Sequence, residues 1–306
     1  MSVCSRPGLT RLFAVKAVLE PSDVVALRRD LMDALDPAGD LATSGELRVQ
    51  RTFMEHSQAL LRLLANERFI AINEALNGTD QLTLHRNGAI AKGAGSGTMS
   101  WHTDFRSASP NPDTVDAILN TGDWPNGVWF YLNGSHPSRG GLAVCADSHR
   151  EDWQCPRDFV RTDRSLAPSE SVAEAAAAAG EPELAPFRID GCVPIISDPE
   201  DLVRESYFFR FTTFRSLANP KASPRSPQII FAARTFHAAF PYHLREPRLS
   251  VSCCFRTGRE RLPTLPEGWR LGESAKRLIE TAPEFARPYI ENYTSIDGTW
   301  KPASNV

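Results

Sequence analysis

The sequence has no long apolar run, no basic excess and no paired cysteine motif, and each absence removes a class of function. No stretch approaches the roughly 18 apolar residues that span a bilayer, so no membrane role is expected. Lys and Arg number 34 against 37 Asp and Glu, a net charge of −3 at pH 7. A general nucleic-acid surface needs a concentrated basic balance, so no nucleic-acid partner is expected. Six cysteines at positions 4, 145, 155, 192, 253 and 254 have no metal or redox spacing, and residues 1–6 contain no apolar signal core. A reducing cytoplasmic setting follows, with Cys253 and Cys254 read as neighbours on opposite sides of a strand. Internal repeats and low-complexity linkers are also missing. The 306 residues, 42% hydrophobic and 23% charged, are therefore read as a single domain with one substantial core and a small-molecule partner, oligomeric state left open.

What is present begins with helical signals. Residues 9–19 read as an opening strand, and Pro21, Ser22 and Asp23 offer start signals for an amphipathic helix that Asp36 and Pro37 end near Leu35. Ser57 can cap the next helical segment, which Gly78 terminates. The period then changes to that of strands near 81–92, 128–133, 142–146, 191–197, 207–214, 228–236 and 248–256, each short, apolar or alternating, with turn residues between. This predicts a mainly β fold with flanking helices: helical support over 1–80, a β core over 81–257 with an insertion at about 157–190, and a helical tail over 258–306. Within the insertion, 161–187 suggest a short helix or mobile cover. The tail reads as helical from Glu273 to Asn292.

One constellation carries chemistry. His102 and Asp104 are two apart, so on a strand both side chains project to one face while Thr103 points away. The approach, Gly93 to Gly97, is Gly-rich and reads as a flexible loop at a site mouth, with Trp101 just before the first imidazole. A second His, His237, lies 135 positions later at the exit of the apolar run from Gln228, and Arg248 follows after eleven more. Two imidazoles and one carboxylate are the ligands of a facial-triad iron(II) site with open coordination positions, which points to oxygen activation. The segments around His237 and Arg248 read as a hairpin that turns both residues toward one cavity. A buried guanidinium needs an anion to offset its desolvation, and a dicarboxylate co-substrate would supply one.

The ordered set of His-x-Asp, a distant His and an Arg eleven residues on resembles the phytanoyl-CoA dioxygenase-like family of iron(II)/2-oxoglutarate oxygenases. The segment from Leu60 to Ile70 with Leu76-Asn77-Gly78 is similar to the helix preceding the family's first core strand. Gly140 to Arg150 is similar to its G-x-L-x-V-x-P-G-S-H stretch, and Trp101 to Phe105 looks like the matching segment of ectoine hydroxylases. The resemblance spans about residues 57–257. It implies a double-stranded β-helix of the jelly-roll or cupin-like kind, iron(II) on His102, Asp104 and His237, and 2-oxoglutarate held by Arg248, with Ser250 on the same strand face; Lys92, ten residues before His102, could contact a carboxylate from the preceding strand. With oxygen as co-substrate, the implied activity is oxidation, by default hydroxylation, of a small metabolite or natural-product intermediate. Ala146 and Asp147 replace the family's Pro-Gly, and Ala239 lacks a hydroxyl that some members place near the co-substrate. An Asp at the ligand position disfavours the halogenase variant.

Other residues leave alternatives open. Arg106 could hold an acidic substrate group or be ion-paired, and Trp129 and Tyr131 alternate with Phe130, so one face could line the cavity or pack in the core. His243 is a rival distal ligand, but it sits among turn residues only five before Arg248. His136 and His149 read as turn or surface groups. Two other functions share these residue types: a protein side-chain hydroxylase, and a non-catalytic metal- or ligand-binding β-barrel.

Overall fold

A computed structural model describes residues 12–15, 18–103, 127–150, 152–162, 165–197, 228–231, 235–259 and 272–293. Its strands are β1 (Leu12–Val15), β2 (Leu47–Arg51), β3 (Leu82–Lys92), β4 (Met99–His102), β5 (Gly127–Tyr131), β6 (Leu142–Cys145), β7 (Phe159–Arg161), β8 (Ser165–Pro168), β9 (Cys192–Pro194), β10 (Gln228–Phe231), β11 (His237–Ala239) and β12 (Arg248–Thr257). They form two antiparallel six-stranded sheets, in the orders β1-β10-β5-β12-β3-β2 and β7-β8-β4-β11-β6-β9. The chain crosses between the sheets repeatedly: β3 lies in the first, β4 in the second, β5 in the first and β6 in the second, and β10, β11 and β12 repeat the exchange. Two facing antiparallel sheets connected this way make a double-stranded β-helix, or jelly roll.

Strand alternation builds three apolar layers. On β12, Leu249, Val251, Cys253 and Phe255 join Ala89 and Ala91 of β3 and Val128 and Phe130 of β5 in the largest core. Helices cover that outer face: α1 (Pro21–Leu35), α2 (Leu41–Ser44), α3 (Gln58–Arg62) and α4 (Glu67–Asn77) from the N-terminal part. In α1 the buried Leu27, Leu31 and Leu35 recur every four residues on one side. Behind the second sheet, Trp101, Ala143, Cys145, Phe236 and Ala238 form a second core, partly covered by α5 (Glu170–Ala178) and the 3-10 segment Pro182–Arg188. The helical tail holds α6 (Glu273–Thr281) and α7 (Arg287–Ile290), whose Leu278 and Ile290 belong to the first core. Between the sheets lies a small third cluster of Tyr131, Leu142, Val144 and Ile195, with Trp129 packed against it.

The local signals place several boundaries well. Ser57 accepts from Leu60 N and caps α3, and Gly78 ends α4 with φ of +67°. At α1 the cap is Glu20, which forms a capping box with Asp23, one residue before the expected start.

Longer-range expectations need correction. Residues 237–256 form no hairpin: β11 pairs with β4 and β6, whereas β12 pairs with β3 and β5 in the other sheet. Of the apolar run from Gln228, residues 228–231 form β10 in the first sheet, and His237 begins a separate strand in the second. Within the stretch read as an insertion, β7 and β8 pair with each other and β8 pairs with β4. The N-terminal part supplies β2 at one edge of the first sheet as well as the expected opening strand, β1, at the other. The Gly-rich approach is held by backbone pairing: Gly95 N donates to Tyr242 O, Tyr242 N to Ser96 O, and Gly93 N to Glu46 O. The strand expected at 207–214 lies outside the described residues.

Candidate metal and carboxylate site

His102 closes β4 and His237 opens β11, and the two are direct partners in the antiparallel register. Directly opposed residues point to one face, and the imidazole centroids are 4.2 Å apart with planes tilted by 54°. Their neighbours point the other way. Trp101 is fully buried in the second core, where its indole N–H donates to Pro186 O at 2.6 Å, and Ala238 packs in the same layer. Each imidazole is oriented alike: His102 Nδ1 lies 2.8 Å from Ser100 O and His237 Nδ1 lies 3.0 Å from Thr235 O. A carbonyl only accepts, so both Nδ1 atoms carry the proton and both rings present Nε2 as the basic nitrogen. A backbone carbonyl behind Nδ1 is the arrangement that orients metal-binding histidines and raises their basicity. Asp104 and Arg106 lie outside the described residues, among which no group of three or more metal-ligating side chains occurs.

The other half of the site comes from the first sheet. Arg248 begins β12 and is 1% exposed, yet its Nε and Nη1 have no hydrogen-bond partner among the described residues. Its guanidinium carbon sits 4.9 Å over the Tyr131 ring. Ser250 lies two residues on, on the same strand face, and its buried hydroxyl is also unpartnered. Across from Ser250 stands Tyr131, in the β5–β12 register. Burial pushes the Tyr131 hydroxyl above its usual value, while the charge and hydrogen bond of Arg248 pull it down. Lys92, the strand partner of Arg248 on β3, is equally buried and donates from Nζ to Gly97 O at 3.0 Å and Phe240 O at 2.8 Å. Two buried basic side chains and a hydroxyl thus line one end of the interior. Desolvated N–H donors with no acceptor are costly, and the group that relieves them is an anion.

Contacts link the two halves. Val144 is the β6 partner of His237, and it packs in the inter-sheet cluster with Tyr131, the residue beneath Arg248. Phe240, whose carbonyl accepts from Lys92, follows β11 directly. Trp129 shares the inward face of β5 with Tyr131 and is only partly buried against that cluster. His243 lies apart from this interior: its exposed ring sits 3.2 Å from Glu183 Oε2. His136 caps the 3-10 turn Pro137–Arg139 by accepting from Ser138 N. A shallow cleft of about 550 Å³ lined by Arg29, Asp30, Asp33, Gln50 and His56 lies on the helix side, off the inter-sheet space. Sequence reasoning left Tyr131 open between lining the cavity and packing in the core, and its ring lies beneath the Arg248 guanidinium. It gave no sign of the carbonyl tethers on Lys92, because Gly97 and Phe240 approach only through the fold.

The fold is one also found in solved structures of 2-oxoglutarate-binding enzymes. HygX from Streptomyces hygroscopicus, solved with nickel, 2-oxoglutarate and hygromycin B bound, is 13% identical, with a TM-score of 0.51 over 82% of this chain and 84% of that one. SnoN, described as an epimerase in complex with Fe3+, alpha ketoglutarate and nogalamycin RO, is 15% identical with a TM-score of 0.48, covering 86% and 88% of the two chains. At such identities the likeness is one of fold. No protein-family model matches the chain, and no curated protein sequence does.

Proposed function

We propose that this chain is an iron(II)- and 2-oxoglutarate-dependent dioxygenase of the phytanoyl-CoA dioxygenase-like kind that hydroxylates a small metabolite or natural-product intermediate. The observation that carries this reading is Arg248: a buried guanidinium with two unmet N–H donors, in the same inter-sheet space as two histidines presenting Nε2. An Arg fork suits a carboxylate, and 2-oxoglutarate has a second carboxylate with an adjacent keto oxygen to offer a metal.

The donor set fits the metal. His102 and His237 would hold iron(II) together with Asp104, whose two-residue spacing from His102 would let both side chains reach one ion. Iron held there would supply the power to activate oxygen, with one oxygen atom going to the substrate C–H bond and the other to succinate as 2-oxoglutarate loses carbon dioxide. The remaining work belongs to the chain. Ser100 O and Thr235 O hold the imidazoles in register. Arg248 receives the distal carboxylate, with Ser250 positioned to add a hydroxyl donor and Lys92 a second cation. Leu142 and Val144 keep the interior apolar and exclude water from the reacting centre. Trp129, partly buried on the same face, is assigned to the primary substrate, as is Arg106 for an acidic group on it.

The test is succinate release from anaerobically reconstituted iron(II) protein, exposed to oxygen with a panel of small metabolites. Substrate-dependent succinate that His237→Ala abolishes and His243→Ala retains is the expected result. The reverse pattern would move the ligand assignment to His243, and tight 2-oxoglutarate binding with no turnover on small molecules or peptides would make the chain a binding barrel.

A further inference from the structure

We propose that a dicarboxylate arriving at Arg248 drives uptake of one proton by Lys92, whose ammonium then clamps both histidine-bearing strands to the occupied end of the site. This rests on the co-substrate reading above and adds to it a proton-linked positioning residue.

The hydrogen-bond inventory carries the proposal. A neutral lysine amine has two N–H donors, and Lys92 has two carbonyl acceptors, Gly97 O and Phe240 O. An ammonium has three donors. The third proton has no acceptor among the described residues until an anion occupies the space beside Arg248.

The surroundings disfavour the charge in the empty site. Arg248 is the direct strand partner of Lys92 and is itself buried. On the other side β2 places Leu47 opposite Lys92, and the adjoining connections bring Ser96 and Tyr242. The Tyr242 hydroxyl is committed to Glu246 O, and the Glu246 carboxylate pairs with Arg28. Arg248 is therefore the charged group that faces Lys92 among the described residues. Burial, reinforced by the Arg248 charge, lowers Lys92 to about 7. A bound dianion reverses this balance, offsetting the repulsion and giving the third N–H an acceptor. The proton comes from solvent, and no bond other than the new N–H is made or broken.

The tethers give the proton a mechanical role. Gly97 lies just before β4, which ends in His102, and Phe240 lies just after β11, which begins with His237. One nitrogen therefore holds the connections next to both imidazole-bearing strands.

Titration calorimetry of 2-oxoglutarate into the full chain loaded with manganese(II), in buffers of different ionisation enthalpy, reads the proton directly. At pH 8.5 the uptake is expected to approach one proton per ligand and to fall toward zero at pH 6. Affinity should weaken by up to about tenfold per pH unit above 7. Lys92→Arg, charged throughout, should bind with no such uptake and a flat pH profile; it also subtracts any proton change at the metal ligands. Binding without uptake by the wild type at pH 8.5, or equal uptake in Lys92→Arg, would overturn the proposal. The wild-type pH series stands even where the variant folds poorly. Absence of 2-oxoglutarate binding at every pH would remove the co-substrate reading itself, a different failure from binding without proton uptake.

Discussion

Arg248 holds a position that is costly to the empty fold and that the proposed 2-oxoglutarate site would account for. Its side chain is buried, its Nε and Nη1 lack partners, and Tyr131 offers it a ring face and one hydrogen bond at the hydroxyl. Replacing such a charge by an apolar side chain of similar length relieves desolvation, so Arg248→Met should raise unfolding free energy by about 1–2 kcal/mol in denaturant melts without ligand. The same change should weaken 2-oxoglutarate by roughly 30- to 1,000-fold, the effect of about 2–4 kcal/mol from truncating a buried charged partner. Unchanged affinity in calorimetry would end the assignment. At this scale the sequence was informative: His102, His237 and Arg248 stood out because their chemistry is costly to bury without purpose. Tyr131 did not, since an aromatic on an alternating strand fits core and cavity equally well.

At the level of elements, the site depends on how β3 enters the connection to β4. A Cβ on Gly93 would stand 2.1 Å from Leu41 O, a backbone atom that cannot swing aside. Gly93→Ala should therefore destabilise the fold by about 1–3 kcal/mol through forced backbone displacement, measurable as a lowered denaturation midpoint. It should also weaken 2-oxoglutarate, because Gly93 adjoins Lys92. The glycines here were read as a sign of flexibility, and the structure shows instead a close approach at Gly93 and a left-handed turn at Gly95, with φ of +84°. Helix ends were legible because caps act within a few residues: Ser57 and Gly78 work alone. Strand partners were not. Nothing local in the stretch from His237 to Arg256 tells β12 to leave β11 and pair with β3 and β5, since that choice is made by residues more than a hundred positions away.

Across the whole molecule, buried titrating groups give stability a shape with pH. Lys92 is lowered to about 7 from an ordinary 10.5, so above pH 7 the unfolded chain binds a proton that the native chain does not, and stability rises with pH. Burial pushes Cys145 up to about 12 and Cys192 up to about 11 from an ordinary 9.0, so above pH 9 the native chain retains protons that the unfolded chain loses, and stability falls. The ligand-free protein should melt highest near pH 9 under reducing conditions, and Lys92→Met should remove the rise between pH 7 and 9; a rise preserved in that variant would assign it elsewhere. The β core with flanking helices could be read from the sequence as a class, because its period-2 segments are local. The exchange of strands between two sheets could not be read from those segments and was expected only through the family resemblance; it sets Arg248 on one sheet and His102 and His237 on the other.

The central claim is that these three residues, with Asp104, make one metal and 2-oxoglutarate site. The most direct measurement is calorimetric titration of 2-oxoglutarate into anaerobic chain with and without iron(II), beside His237→Ala and Arg248→Met. One-to-one binding that needs the metal, is lost in the first variant and is weakened at least about 30-fold in the second is the predicted result. Metal-independent binding, or affinities equal in all three proteins, would contradict it.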